Sequence, residues 1–418
     1  MKIKAFRTKL IHSNHKALER LSHMKLAVLF LCSTLANYRN YQILQCKFER
    51  KDISSLLEEA HERSLDILAI KPFDSTHVLV DIKKHISNAL EADCEVIIDD
   101  VQYLVDHENE EGSDFFASYR TYDEIMNRLK TYEEQYPEIL EKKVLGHSVE
   151  GREIPVVHLK FPSRIVRRKI WIQSGLHARE WVGPASAMYL IDWLCKSSKE
   201  ANSLLDSFEF VIAPLLNPDG YEYSWNGHRF WRKNRRDNGG GSFGVDLNRN
   251  WDDHWNLVGG SNNKWSDVYV GVSPASEPEV FHTQNYIKSL SNLLFGIDLH
   301  SYGQLLLRSY GYTTESSPVD VDTKAQSISM QEAILAATGE KYSVMKSAEL
   351  YPAGGSADDW MTNVAGTFGH TIELRDTGNY GFNLPSKYIV PTAEDAIAAI
   401  RALLAKEKEQ SDFVFAKM

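Results

Sequence analysis

The stretch Ser174-Gly175-Leu176-His177-Ala178-Arg179-Glu180-Trp181 closes an apolar run, Lys169 to Ser174, with a turn that carries a histidine and, three residues later, a glutamate. A strand ending in such a turn offers two ligands to one metal ion, and a catalytic zinc takes three protein ligands while keeping a fourth position for water. The spacing is neither His-Glu-x-x-His on a helix nor its inverted form, because Trp181 follows Glu180. A third ligand therefore comes from elsewhere. His300, near the end of the run Phe295 to Tyr302 and about 120 residues downstream, is the best placed.

Around this turn the chain alternates strand and helix patterns. Apolar or aromatic residues at Tyr122, Ile125, Met126, Leu129 and Tyr132 make a helical face closed by Pro137. Strands are expected at Ile154 to Leu159, Lys169 to Ser174, Phe208 to Pro214, Leu294 to Leu299 and Thr367 to Glu373, and helices at Pro184 to Cys195, Glu277 to Ser291, Thr323 to Ala337 and Thr392 to Leu404. The alternation predicts an α/β fold, a central mixed, largely parallel sheet with helices on both faces. Ligands of open α/β sheets bind beyond the carboxyl ends of the strands, and His177, His300 and Glu373 each stand at or just past such an end.

Upstream, strand-like runs at Tyr41 to Phe48, His77 to Val80 and Glu95 to Ile98 alternate with helical patterns around Ile53 to Ser64 and Ile82 to Ala92. They suggest a small α+β module over residues 37–105. The acidic, polar residues 106–117 read as an exposed linker to a large domain over 118–412. A length of 418 residues suits one large and one small domain. The net charge of −10 and the lack of a basic tract exclude nucleic acid as a partner.

No segment reaches the roughly 20 apolar residues of a membrane span. Instead Lys25 precedes the apolar run Leu26 to Leu35, which ends at Thr34-Leu35-Ala36 with small-x-small spacing. Residues 24–36 read as a secretory signal peptide, residues 1–23 as an N-terminal extension ahead of a start at Met24, and the product as secreted and extracellular. Cys32 would leave with that peptide. Cys46 and Cys94 are free to pair, and Cys195 reads as an inert buried thiol. No Cys-x-x-Cys occurs, which excludes zinc held by thiolates.

Three further segments join the turn and His300: Phe230-Trp231-Arg232-Lys233-Asn234-Arg235-Arg236, Gly244-Val245-Asp246-Leu247-Asn248-Arg249-Asn250-Trp251-Asp252, and Glu373-Leu374-Arg375-Asp376-Thr377-Gly378-Asn379-Tyr380-Gly381-Phe382. In this order and spacing the five motifs resemble the zinc metallocarboxypeptidases of the pancreatic A/B type, and residues 37–105 resemble that family's inhibitory pro-domain. The resemblance implies a zymogen whose partners are peptide and protein C-termini, its own pro-domain as inhibitor and an activating protease, and whose active form is a monomer with one zinc ion. It implies His177, Glu180 and His300 as metal ligands, Asp246 orienting the first histidine, Glu373 as general base and Arg232 as the oxyanion donor. It also implies that Arg249, assisted by Asn248, clamps the substrate carboxylate through its planar fork, with Tyr351 covering the bound end and Arg179, Tyr302 and Phe382 lining the next subsites. A catalytically inactive peptide-binding relative would have lost one of these groups, and none is lost.

Specificity is read from Tyr351-Pro352-Ala353-Gly354-Gly355-Ser356-Ala357-Asp358-Asp359-Trp360. Counting from Tyr351, Asp358 matches the family's pocket base and favours C-terminal Lys or Arg, since an apolar side chain would leave a buried carboxylate unpaired. Ala357 allows a one-residue shift that would make Asp359 the pocket acid, either aspartate fits a helix cap, and Lys346 falls near another pocket position. A-type removal of aromatic or aliphatic ends is the alternative. Between Lys84 and Arg120 no Lys or Arg occurs, so no tryptic activation site is visible in the linker.

Overall fold

Two sheets divide the chain in the computed structural model, which describes residues 36–415 apart from 61–64, 88–92, 110, 111, 113, 164, 165 and 197. The signal-like stretch before Ala36 and the N-terminal extension lie outside the described residues. The first sheet contains β1 (Tyr41–Glu49), β2 (Asp66–Pro72), β3 (His77–His85) and β4 (Cys94–Ile98), in the antiparallel order β2-β3-β1-β4. Helices α1 (Ile53–Glu59) and α2 (Val101–Asp106) accompany it. Cys46 and Cys94 face each other across β1 and β4 and are disulfide-bonded, while Cys195 is a buried free thiol.

One helical expectation fails here. Ile82 to His85 continue β3, because β3 pairs on one side with Tyr41 to Leu44 and on the other with Asp66 and Ile67. Ladders on both edges satisfy the backbone that a helix would have bonded internally, and they override the local periodicity. The remainder of that predicted helix includes residues 88–92, outside the described set. Strand β2 and helix α2 carried no clear pattern and were not anticipated.

The large domain begins with α3 (Tyr122–Gln135), started by a capping box between Thr121 and Glu124. It continues through β5 (Leu140–His147), β6 (Glu153–Leu159), β7 (Arg168–Ser174), α4 (Val182–Cys195), α5 (Lys199–Ser207), β8 (Phe208–Ala213), α6 (Pro218–Asn226), α7 (Pro278–Ser289), β9 (Leu293–Ser301) and β10 (Leu305–Arg308). Then follow α8 (Asp320–Thr338), β11 (Ser343–Lys346), α9 (Ser347–Leu350), α10 (Ala357–Asn363), β12 (Phe368–Leu374) and α11 (Ile389–Phe415). No helix among the described residues is long and apolar enough to cross a membrane.

The eight strands run in the order β11-β10-β12-β9-β7-β8-β6-β5. The four central strands, β12, β9, β7 and β8, are parallel, and antiparallel pairs carry the sheet outward to β10 and to β6 and β5. This is the mixed, largely parallel sheet expected. Its two faces are sealed by separate apolar clusters, one with Leu190, Ile334 and Ile400 of α4, α8 and α11, the other with Val280 and Trp360 of α7 and α10. A Cβ on Gly296 would lie 2.1 Å from Met361 Sδ, so a side chain there would push α10 off the sheet.

Register decides the rest. Glu373 of β12 lies opposite His300 of β9, and Ser174 of β7 lies opposite Leu299. Residues almost 200 positions apart in the chain (177 to 373) thus end at one edge, where parallel strands release their carboxyl ends.

Candidate active site

At that edge His177 and Glu180 occupy the turn between β7 and α4, and His300 closes β9. All three are buried, with relative exposures of 5%, 4% and 1%. One ligand atom from each lies within 4.8 Å of the other two. His177 Nδ1 is 2.7 Å from Glu180 Oε1, His300 Nδ1 is 2.9 Å from Glu180 Oε2, and the two Nδ1 atoms are 3.1 Å apart. Two imidazoles aiming the same ring nitrogen at one point, with a carboxylate between them, is a donor set suited to a divalent cation such as zinc.

The opposite ring nitrogens fit the same reading. His177 Nε2 is 3.2 Å from Asp246 Oδ1 and His300 Nε2 is 2.9 Å from Asp298 Oδ2, both carboxylates being fully buried. Asp246 bonds the His177 ring and so orients it, whereas Asp298 makes a close charge contact with His300 without hydrogen-bond alignment. Asp246 was expected. Asp298 was missed, although a residue two before His300 on a strand shares its face, which is the signal that finds it.

Asp246 also accepts from Nε and Nη2 of Arg232, at 3.2 and 2.9 Å, and Arg232 Nη1 lies 3.3 Å from His177 Nδ1. Burial disfavours the guanidinium charge, but the Asp246 carboxylate beside it raises its pKa above the ordinary value. The cation is therefore permanent, and it sits beside the imidazole pair. Glu373, opposite His300, has its carboxyl pushed up to about 8 by removal from water, against the pull of His300 and with help from Glu180.

His177, Glu180, Arg232 and Glu373 line one cavity of about 110 Å³, together with Asn248, Arg249, Tyr302, Tyr351, Asp358 and Thr371. Arg249 is 3% exposed. Its Nη2 donates to Tyr351 Oη at 2.9 Å, while Nε and Nη1 are held by the carbonyls of Gly259 and Asn248 at 3.0 and 2.8 Å. Gly355, at φ +72°, lets the next loop approach to where a Cβ would stand 2.4 Å from the Arg249 carbonyl oxygen. Asn248 Oδ1 accepts from the Ala357 amide at 2.9 Å, tying the Arg249 turn to the start of α10.

The two neighbouring aspartates separate cleanly. Asp358 lines the cavity and accepts from Ser347 Oγ at 2.7 Å. Asp359 points the other way and accepts from the amides of Gly311 and Tyr312 at 2.9 to 3.1 Å, its carboxyl pushed up to about 8 by burial and by Asp358. Lys346 donates to the Thr314 carbonyl, outside the cavity lining. Ser347, which holds Asp358, was not foreseen, and nothing in the local pattern marks it.

Arg179 and Phe382 do not join the cavity. Arg179 lines a neighbouring space of about 270 Å³, with its guanidinium carbon 4.6 Å from the Phe382 ring centre. It donates to Asp66 Oδ1 and the Ile67 carbonyl of the N-terminal sheet, at 3.1 and 3.0 Å. Tyr302 Oη donates to Asp81 Oδ2 at 2.8 Å, and Lys71 donates to the same oxygen at 2.7 Å. Leu68, Ala69 and Ile70 of β2 form part of the cavity wall itself.

The expected linker is not uniformly exposed. Glu108 is 4% exposed: both its carboxylate oxygens accept from Arg229 Nε at 2.9 Å, and one accepts from Asn383 Nδ2 at 2.8 Å. An acidic tract reads as solvated unless a buried cation is waiting for it, and Arg229 is 121 residues away.

Comparison with known proteins agrees with this geometry. A family profile described as "Zinc carboxypeptidase" matches residues 125–399. Carboxypeptidase B of Astacus astacus is 35% identical over 293 residues, covering 69% of this chain and 96% of that protein. Carboxypeptidase O of Homo sapiens is 36% identical over 292 residues, covering 68% and 78%. Among solved structures, thrombin activatable fibrinolysis inhibitor superposes with a TM-score of 0.79 at 27% identity, covering 88% of this chain and 99% of that one. Carboxypeptidase A from Helicoverpa armigera gives 0.77 at 25% identity, covering 89% and 99%.

Proposed function

The chain belongs to the zinc carboxypeptidase family, and we propose that it is a secreted metallocarboxypeptidase, made as a zymogen, that removes C-terminal Lys or Arg from peptides. The observation that carries this is the cavity lined by His177, Glu180, Glu373, Arg232, Arg249 and Asp358, beside which His300 completes a two-histidine, one-glutamate donor set.

In this reading His177, Glu180 and His300 hold zinc, with Asp246 and Asp298 behind the imidazoles. Zinc supplies Lewis acidity and lowers the pKa of a water. The substrate's terminal carboxylate is bound by Arg249 and Asn248, and Tyr351 covers it. The Tyr351–Arg249 bond gives the tyrosine a resting place before substrate arrives. Glu373 takes the proton of the attacking water and returns it to the departing amine. Arg232, held charged by Asp246, stabilises the oxyanion.

Basic specificity rests on Asp358, which lines the cavity and whose carboxylate, among the described residues, accepts from the Ser347 hydroxyl and meets no cation. A guanidinium or ammonium end would complete it, whereas an apolar end would leave it desolvated. Latency rests on the N-terminal sheet, whose Asp66 and Asp81 occupy Arg179 and Tyr302 and whose β2 walls the cavity. Peptides ending in Arg, Lys, Phe, Leu and Glu, assayed after proteolytic removal of the N-terminal domain with and without chelator, test the reading. Chelator-sensitive release of Arg and Lys is expected. Release of Phe ahead of Arg would overturn the specificity, and chelator-insensitive activity would overturn the zinc chemistry.

A further inference from the structure

The sequence between Lys84 and Arg120 offers no bond to a trypsin-like protease, and Arg120 itself is secured. Its Nε and Nη2 donate to the carbonyls of Phe115 and Asp114, both at 2.7 Å, and its own carbonyl accepts from Tyr221 Oη at 2.6 Å. A cut at Arg120 would also remove Phe116 and Tyr119, which are 7% and 3% exposed in the main core.

Glu108 sets the other limit. Besides the Arg229 and Asn383 contacts, its carbonyl accepts from the Ser386 amide at 2.7 Å, so the residue is built into the large domain. A cut after Glu108 would leave this anchor on the N-terminal fragment and keep that fragment fastened to Arg229. A cut before Glu108 leaves the anchor on the large domain and severs the link to the sheet that covers the cavity.

Helix α2 lies just before Glu108. It has six residues, begun by Asp100 accepting from the Tyr103 amide at 3.0 Å and closed by the His107 amide on the Leu104 carbonyl at 3.2 Å, with His107 Nδ1 2.7 Å from the Tyr103 carbonyl oxygen and its ring stacked on that of Tyr103. So short a helix holds few internal hydrogen bonds, so the turn at Tyr103 can open locally, as proteolysis requires, while Val101, fully buried, anchors its start. Tyr103 is 58% exposed, whereas Phe115 is partly buried and Phe116 and Tyr119 are core. Among the described residues from Lys84 to Arg120, Tyr103 is thus the exposed aromatic side chain.

Resting on the zymogen reading above, we propose that the activating cut is hydrolysis of the Tyr103–Leu104 bond by an endopeptidase of chymotrypsin-like preference. Water adds across the amide to leave a carboxylate on Tyr103 and an amine on Leu104. The new N-terminal segment, Leu104 to Glu108, stays on the large domain through the Glu108–Arg229 pair.

The test compares the intact full-length chain treated with chymotrypsin or trypsin. A second preparation carries a recognition sequence for a site-specific endopeptidase between Asp99 and Asp100, and a third adds Tyr103→Asp to that insertion. Chymotrypsin is expected to expose Leu104 as a new N-terminus and to raise chelator-sensitive C-terminal hydrolysis about tenfold or more, as the competent fraction rises. Tyr103→Asp should abolish that response while the engineered cut still activates. Activation by trypsin, activation by a cut within 109–114, or a chymotryptic cut at Leu104 without gain while the engineered cut activates would overturn the proposal and leave the carboxypeptidase reading intact. No hydrolysis after either cut would overturn both.

Discussion

Buried charge serves two opposite ends in this molecule. At the metal corner His177, Glu180 and His300 turn their donor atoms toward one another, and Asp246 and Asp298 stand behind the imidazoles, so the cluster is short of positive charge at its centre. Where the N-terminal sheet meets the large domain, Asp66 is 2.9 Å from Lys83 Nζ and 3.1 Å from Arg179, and Asp81 takes Lys71 and Tyr302. Lys83 is further enclosed by the rings of Tyr38, Tyr41 and Phe230. Every charge there has its partner inside the protein. A buried cluster that closes on itself is a seal, and one that needs a cation to be complete is a site.

The strongest way to break this contrast is Glu373→Gln, made on protein freed of its N-terminal domain. It should lower kcat by roughly 10²- to 10⁴-fold with KM little changed, measured by steady-state release of C-terminal Arg. Near-normal turnover would remove the acid from the proton path. Asp358→Asn sharpens the contrast inside the cavity: kcat/KM for Arg ends should fall by about 10² while Leu ends gain. An unchanged Arg-to-Leu ratio would mean that Asp358, like Asp359, is structural.

At the seal, Asp66→Asn leaves Arg179 and Lys83 without their shared carboxylate. Loss of about 2 kcal/mol of domain contact should appear as higher residual hydrolysis by the uncut chain, with the fully activated rate unaltered. A silent mutant would show that the apolar contacts alone hold the sheet down.

The smallest effect concerns a buried acid in neither class. Glu279 accepts from the Val149 amide and Asn234 Nδ2 at 3.1 Å, and burial, with Glu277 adding, pushes its carboxyl up to about 8. The folded chain therefore holds this proton more tightly than the unfolded chain. Its stabilising contribution is complete below the ordinary value of 4.5 and is lost as pH rises through 8. Glu279→Gln should flatten the fall of Tm across that window by a few degrees. An unchanged slope in a thermal-melt series from pH 5 to 9 would place the titration elsewhere.

Much of the large domain was legible because its strands are buried on both faces and read as unbroken apolar runs; the expected bounds at β6, β7 and β9 lie within a few residues of those observed. The edge strands β5 and β11 were not, since strands of mixed polarity look like loops until a neighbour pairs with them, and the interior β10, four residues long, is too short to stand out. In the small domain Ile82 to His85 looked helical for the same reason: local spacing does not know that β1 and β2 lie on either side.

The chain itself offered the residues of the proposed site. His177, Glu180, His300, Arg232, Asp246, Arg249 and Glu373 are recognisable by residue type, order and spacing because metal binding, proton transfer and carboxylate recognition each admit few side chains. Which of two adjacent aspartates faces the cavity, which histidine needs Asp298, and why Glu108 is no part of a free linker were decided only by the tertiary structure. Each of those depends on a partner far off in sequence, Ser347, a strand register or Arg229, and burial and pairing are properties of the folded neighbourhood, not of the residue.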